Sequence, residues 1–276
     1  MQPLRKILIF SKDRAIQLLA LLESLRNQCM DFEENIIVVL YKTTSKQHLN
    51  QYIQIQRMFP CVSFRSEREV SADFLNVVMN SEFIMFLCDD TIFVRKFRFL
   101  DMITTLKENL DCIGFSLRLG RNISYCYPYA TTYKETPNFV ELTNELLKFD
   151  WTHQIYDFGY PMELSSSIYR SSDILELSGG VKYSSLHNVE SSLDNRKIQM
   201  IEDKPMLLCF SVSHAFSNPI NLTSGISGNR VGSDTRYSVN SLADKFDEGW
   251  KIDVVALEDF TSIACHQEVP LSFIER

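Results

Sequence analysis

Short apolar runs alternate along the first third of the chain with longer segments whose apolar residues recur every three or four positions. Lys6–Phe10, Ile36–Tyr41, Val62–Phe64 and Phe83–Leu87 have strand length and are rich in β-formers. Between them, Ile16, Leu19, Leu22 and Leu25 keep helical spacing up to about Gln28. Thr43, Thr44 and Ser45 offer N-caps to a helix carrying Leu49, Tyr52, Ile53 and Met58, which Pro60 ends. Ser71 opens a further helix with Phe74, Leu75 and Val78 on one face. Strands alternating with helices of this length predict a mostly parallel sheet covered on both faces. Right-handed crossovers then gather the strand carboxyl ends along one edge, where ligands bind. Three polar clusters fall at such ends: Ser11–Arg14, where Ser11 and Asp13 are candidate caps, Tyr41–Thr44 and Asp89–Thr91.

Beyond residue 95 the pattern loosens. A helix over Phe99–Leu110 leads into a strand over Cys112–Leu117. Gly120–Pro137, with Tyr125, Tyr127, Tyr129 and Tyr133, reads as a long polar loop of the kind that usually has a function. A short helix capped by Ser171 and Ser172 ends near Gly179-Gly180, and further helices are expected over Leu186–Arg196 and Asn240–Trp250. Met206–Val212 is a strong strand. Ser217–Ser238, rich in glycine, serine and asparagine, is expected to be mobile and to close over a ligand. With no internal repeat and no clean linker, the reading is a single α/β domain over residues 1–276, its half beyond about residue 96 mixed in character.

The composition narrows the class. With 276 residues, 45% hydrophobic and 23% charged, the chain can bury an ordinary core without staples. A net charge of −7 disfavours non-specific nucleic-acid binding, which rests on neutralising phosphates. No apolar run approaches a membrane span or a secretory leader, and the seven cysteines are odd in number, scattered and without a Cys-x-x-Cys pair. They read as buried thiols in a reducing, cytoplasmic setting; peripheral membrane association is compatible with that setting.

The sharpest chemical feature is Asp89-Asp90, two adjacent carboxylates ending a buried strand. Side by side at the rim of a core, they need a positive partner, and carboxylate oxygens suit Mg²⁺ or Mn²⁺. The alternative is a pair of solvated acids in a turn. Ser11–Arg14 offers amide hydrogens at a helix start, suited to a phosphate. Arg14 is a partner for phosphate or base, or a surface arginine. Tyr41 and Lys42 end the second strand, where a base could stack or be hydrogen-bonded. No Gly-x-Gly-x-x-Gly or P-loop pattern is present.

The order of these elements, with an apolar strand ending in Asp-Asp, resembles the GT-A class of nucleotide-sugar glycosyltransferases, well over residues 5–95 and loosely beyond. The resemblance implies a GT-A-like fold, with a nucleotide-sugar-binding half over about 1–95 and an acceptor-side half over about 96–276. It further implies a UDP- or GDP-linked donor, an Mn²⁺ or Mg²⁺ cofactor, and a glycan or glycolipid acceptor in polysaccharide biosynthesis. It gives Asp90 the metal and Asp89 a sugar or ribose contact, with Ser11, Asp13, Arg14, Tyr41 and Lys42 lining the donor site. The usual first acid is replaced by Cys88. Glu190, early in a helix, takes the place of the general base of inverting members, with Asp150, Asp157 and Glu163 as rivals; the neighbouring aromatics Trp151, Tyr156, Phe158 and Tyr160 either stack on sugars or fill the core. His214 is the expected late metal ligand, tilting the choice to Mn²⁺, with His266 a weaker one. Two other readings stay open: a non-catalytic nucleotide-sugar- or carbohydrate-binding relative, and a nucleotidyltransferase.

Overall fold

The computed structural model describes residues 4–223 and 230–276. In chain order, β1 (Arg5–Lys12), α1 (Ala15–Gln28), β2 (Ile36–Lys42), α2 (Lys46–Met58), β3 (Ser63–Ser66), α3 (Val70–Met79) and β4 (Phe83–Cys88) form the expected alternation. The short β5 (Thr91–Phe93) and then α4 (Phe99–Glu108) and β6 (Cys112–Ser116) follow. The Gly120–Pro137 stretch is a loop holding a minimal hairpin, β7 (Tyr125–Cys126) and β8 (Thr131–Thr132). The remainder comprises β9 (Val140–Glu141), β10 (Leu146–Asp150), β11 (Ser166–Arg170), α5 (Ser171–Ser178), α6 (Leu186–Arg196), β12 (Met206–Phe210), β13 (Ala215–Ser217), α7 (Val239–Asp247), β14 (Trp250–Ile252) and β15 (Phe273–Glu275). The last helix is therefore shorter than expected, because Gly249 takes a positive φ of 92° and Trp250 begins a strand.

Nine strands build one sheet in the order β3-β2-β1-β4-β11-β6-β12-β10-β9. β3, β2, β1 and β4 are mutually parallel. The chain works outward from β1 to β3 and returns on the other side at β4, so β1 and β4 flank a topological switch point, the usual place for a ligand crevice. β11 lies antiparallel between β4 and β6, and β12 runs parallel to β6. Gly114 is required at this crossing: a Cβ there would stand 2.9 Å from the Ile168 carbonyl oxygen and from the Tyr169 ring.

Strand alternation splits the core in two. Ile7, Ile9, Met85 and Leu87 face one side with residues of α1, α2, α4 and α7. Leu8, Phe10, Ile84 and Phe86 face the other with residues of α3, α5 and α6. α1 is buried round most of its circumference, even at Glu23 and Gln28, because β5, β14 and α7 also pack on it. No helix among the described residues is long and apolar enough to cross a membrane. Six residues of the Ser217–Ser238 stretch, 224–229, lie outside the described residues; on its near flank Ser217, Asn218, Ile220 and Asn221 are buried.

Candidate functional site

A cavity of about 850 Å³ opens at the carboxyl ends of β1, β2 and β4. On the β4 wall, Cys88, Asp89 and Asp90 line it beside Ser11, Lys12 and Arg14. Asp89 is buried and its oxygens are taken: Ser11 Oγ donates to it at 2.8 Å, the Lys12 amide at 3.2 Å and Arg14 Nη1 at 2.9 Å. Asp89 thus ties the end of β1 to the end of β4. Arg14 also lies 3.7 Å from Asp90 and donates to the Asn221 carbonyl. Asp90 keeps a carboxylate toward the cavity, and burial together with neighbouring Asp89 raises its pKa against the opposing pull of Arg14. The protein itself therefore supplies the positive partner that the acid pair requires.

The turn after β1 differs from the phosphate cradle expected of it. Its amides are satisfied internally: Lys12 on Asp89, Asp13 on the Lys42 carbonyl at 3.2 Å, and Arg14 on Tyr52 Oη at 3.3 Å. Neither Ser11 nor Asp13 caps α1, whose N-cap is Arg14 without a side-chain bond. Asp13, at φ 55°, accepts from the Thr44 amide at 2.8 Å and hydroxyl at 2.9 Å, so it pins the β2–α2 turn and does not line the cavity. Tyr41 is also absent from the cavity. Leu40 and Lys42 face it, so alternation turns Tyr41 away to stack on Tyr52 with ring centroids 5.0 Å apart. Lys42 lies at the rim, 3.7 Å from Glu67.

The far wall is made by α6, the segment before β11, and the hairpin loop. Ser185 caps α6 by accepting from the Asn188 amide, and the helix carries Glu190 to the cavity. Glu190 accepts the Leu164 amide at 3.2 Å, and burial above all raises its pKa to about 7. Of its rivals, Asp157 lines the cavity and accepts Tyr133 Oη at 3.0 Å. Asp150 instead caps Thr152, at 2.8 Å from its amide, and Glu163 is buried behind the wall. The aromatic segment divides: Trp151 and Phe158 are core, whereas Tyr156 and Tyr160 line the cavity. Cys88 is a neutral thiol, its pKa pushed well up by burial, with Sγ 3.7 Å from the Leu164 carbonyl.

His214 does not line the cavity. Its ring stacks on Phe210 with centroids 3.6 Å apart, and Nδ1 sits 2.9 Å from the Val212 carbonyl. His266 does line it, with Nδ1 buried and without a hydrogen-bond partner among the described residues, and burial lowers its pKa to about 4, leaving a neutral imidazole. The chain brings it there by pairing Ser217 of β13 with residues 265–267. Arg118, Arg230 and His187 are further lining residues that the sequence pattern did not single out. Arg118 directly follows the β6 apolar run at a strand carboxyl end, a signal that was there to use.

No protein-family model matches the chain. It is 28% identical over 288 aligned positions to the bifunctional glycosyltransferase pgtA of Dictyostelium discoideum, a match covering 87% of this chain and 38% of that protein. The chain thus spans well under half of its relative's length. Among solved structures, GalNAc-T7 with UDP, GalNAc and Mn²⁺ superposes with a TM-score of 0.51 at 10% identity, covering 76% of this chain and 43% of that one. TarS of S. aureus gives a TM-score of 0.49 at 11% identity over 77% of this chain and 36% of its own. The likeness to GalNAc-T7 is one of fold: the mostly parallel sheet, switch-point cavity and antiparallel insertion described above make this a GT-A-like α/β chain.

Proposed function

We propose that this chain is a glycosyltransferase domain that moves a sugar from a nucleoside-diphosphate donor to a hydroxyl of a glycan or glycolipid acceptor, as an inverting, Mn²⁺- or Mg²⁺-dependent enzyme. The observation that carries the reading is that one cavity holds both Asp90, at the end of β4, and Glu190, on α6. The name of the 28%-identical relative and the GT-A-like fold support it.

The residues present fit a hard cation. Asp90 offers a carboxylate, and His266 a neutral ring whose buried Nδ1 is unpartnered. Among the described residues no group of three or more His, Cys, Asp or Glu is preassembled as a cage, so phosphate oxygens and water would complete the shell. A cation held there would stabilise charge on the departing diphosphate. Lys12 and Arg14 stand on the same wall, with Lys12 Nζ now 2.8 Å from the Thr223 carbonyl. Glu190, with its pKa near neutrality, accepts the acceptor hydroxyl's proton as the new bond forms. Seven free cysteines support a reducing, cytoplasmic setting.

One feature favours a non-catalytic, nucleotide-sugar-binding relative: Cys88, a buried neutral thiol, stands where the class has an acid. The discriminating measurement is Mn²⁺-dependent release of UDP or GDP from UDP- and GDP-hexoses. Release that Asp90→Ala abolishes supports the enzyme. Binding without release supports the alternative, and release of pyrophosphate points to nucleotidyl transfer.

A further inference from the structure

Arg118 is 3% exposed, yet its guanidinium lines the cavity and donates no hydrogen bond among the described residues. Among the described residues its one ion-pair partner is Glu163, whose Oε1 lies 3.6 Å from Arg118 Nε. Glu163 is itself fixed at the start of β11, accepting from the amides of Ser165 and Ser166 and from the Ser167 hydroxyl. The guanidinium is thus held along one edge while its other N–H groups remain unmatched. Nε is buried and without a hydrogen-bond partner among the described residues, a costly state for a charged donor, and the terminal N–H groups face the cavity, where a ligand oxygen can meet them.

The surroundings define that oxygen. Arg118 already feels Glu163, Asp157 and Glu190, so its charge is balanced and an added anion would meet three carboxylates. A neutral acceptor fits better. A planar fork matches two oxygens side by side, as on neighbouring carbons of a pyranose. Tyr127, Tyr129, Tyr156 and Tyr160 line the same cavity, with the Tyr129 and Tyr156 rings 4.9 Å apart, and offer the apolar surface a sugar face needs. We infer that Arg118 is a specificity-determining residue that binds a pair of neighbouring sugar hydroxyls beside Glu190. This rests on the glycosyltransferase reading; the hydroxyls belong to the donor's sugar or to the acceptor.

The test starts with wild-type protein and Mn²⁺, titrated by calorimetry with UDP, GDP, UDP-glucose, UDP-galactose, UDP-GlcNAc and GDP-mannose, alongside Arg118→Lys, which keeps the charge but loses the fork. If the hydroxyls are the donor's, the variant binds the free nucleotide normally but the sugar nucleotide about tenfold to hundredfold more weakly. If they are the acceptor's, donor affinity is unchanged and KM for p-nitrophenyl hexosides rises by a similar factor. Changes under twofold in both overturn the inference. Should Arg118→Lys fail to fold, deoxy analogues of the bound hexose serve on the wild type: two neighbouring positions should each cost about tenfold, and a uniform or absent penalty overturns it. A wild type that binds no nucleotide or sugar nucleotide defeats the glycosyltransferase reading separately. The p-nitrophenyl hexosides are then titrated directly, where binding lost in Arg118→Lys upholds the sugar site and no binding removes it.

Discussion

The cavity's two walls each carry an arginine among acids, and they are finished differently. On the β4 wall, Arg14 is tied to Asp89, Asp90 and the Asn221 carbonyl, and Asp89 has its own three donors. On the α6 wall, Arg118 touches Glu163 at 3.6 Å and Glu190 holds a single amide. The first cluster is closed and joins two strand ends. The second leaves hydrogen-bonding capacity and a near-neutral carboxyl facing the cavity, which is the state a reacting wall requires. Adjacent acids are therefore the more visible feature in sequence, while the wall with fewer internal bonds has more chemistry to offer.

The strongest way to break this contrast is Glu190→Gln. Transfer should fall by about 10²–10⁴ with nucleotide affinity retained, measured by steady-state rates beside calorimetry. A rate near that of the parent would move the base to Asp157, the other carboxylate on that wall, or admit a retaining reaction, and product anomer analysis would separate the two. Next, Arg14→Met strands buried Asp89 and should cost about 3–5 kcal/mol in urea unfolding. Arg118→Met should cost less, because Glu163 keeps its three donors; equal losses would erase the distinction between the walls.

A smaller effect follows from pH. The Glu190 carboxyl is raised from 4.5 to about 7 in the folded chain. The folded form therefore holds a proton that the unfolded form releases at lower pH, and stability falls as pH rises through that window. Glu190→Gln removes this loss, so its melting temperature should exceed the parent's at pH 8 and match it below about pH 4.5. A constant difference across the range would show that the carboxyl is not perturbed. The smallest expected change is in cation dependence: His266→Ala should weaken Mn²⁺-supported nucleotide binding by about tenfold, and His214→Ala should leave it unaltered.

The N-terminal alternation was legible because parallel strands buried on both faces must be apolar throughout, as at Ile36–Leu40 and Phe83–Leu87. β11 escaped that logic: Ser166 and Ser167 are as buried as Ile168 and Tyr169, but the Glu163 carboxylate takes the Ser166 amide and the Ser167 hydroxyl. β10 was hidden by alternation between Leu147 and Phe149 in the core and half-buried neighbours. At the site, Asp90, Glu190, Ser11, Arg14 and Lys42 could be placed from strand ends and a helix start. Tyr41 was lost to the pleat, Asp13 to a turn contact thirty-one residues away in sequence, and His214 to the stacking on Phe210. His266 reaches the cavity through an isolated bridge to Ser217, which no local periodicity announces.

The late arrival of β11 bears on how the chain can be made and divided. β4 and β6 are both complete by residue 116, yet the strand that joins them starts at residue 166. During synthesis, β6 therefore waits with an open hydrogen-bonding edge for some fifty residues and β4 for nearly eighty, so nucleation cannot close the sheet from the N-terminus alone. A fragment ending near residue 95 would keep all four parallel strands but leave β4 as an apolar, unpaired border. Such a border is a template for association between copies. The two halves thus share one sheet, and the seam between them is a strand, not a linker.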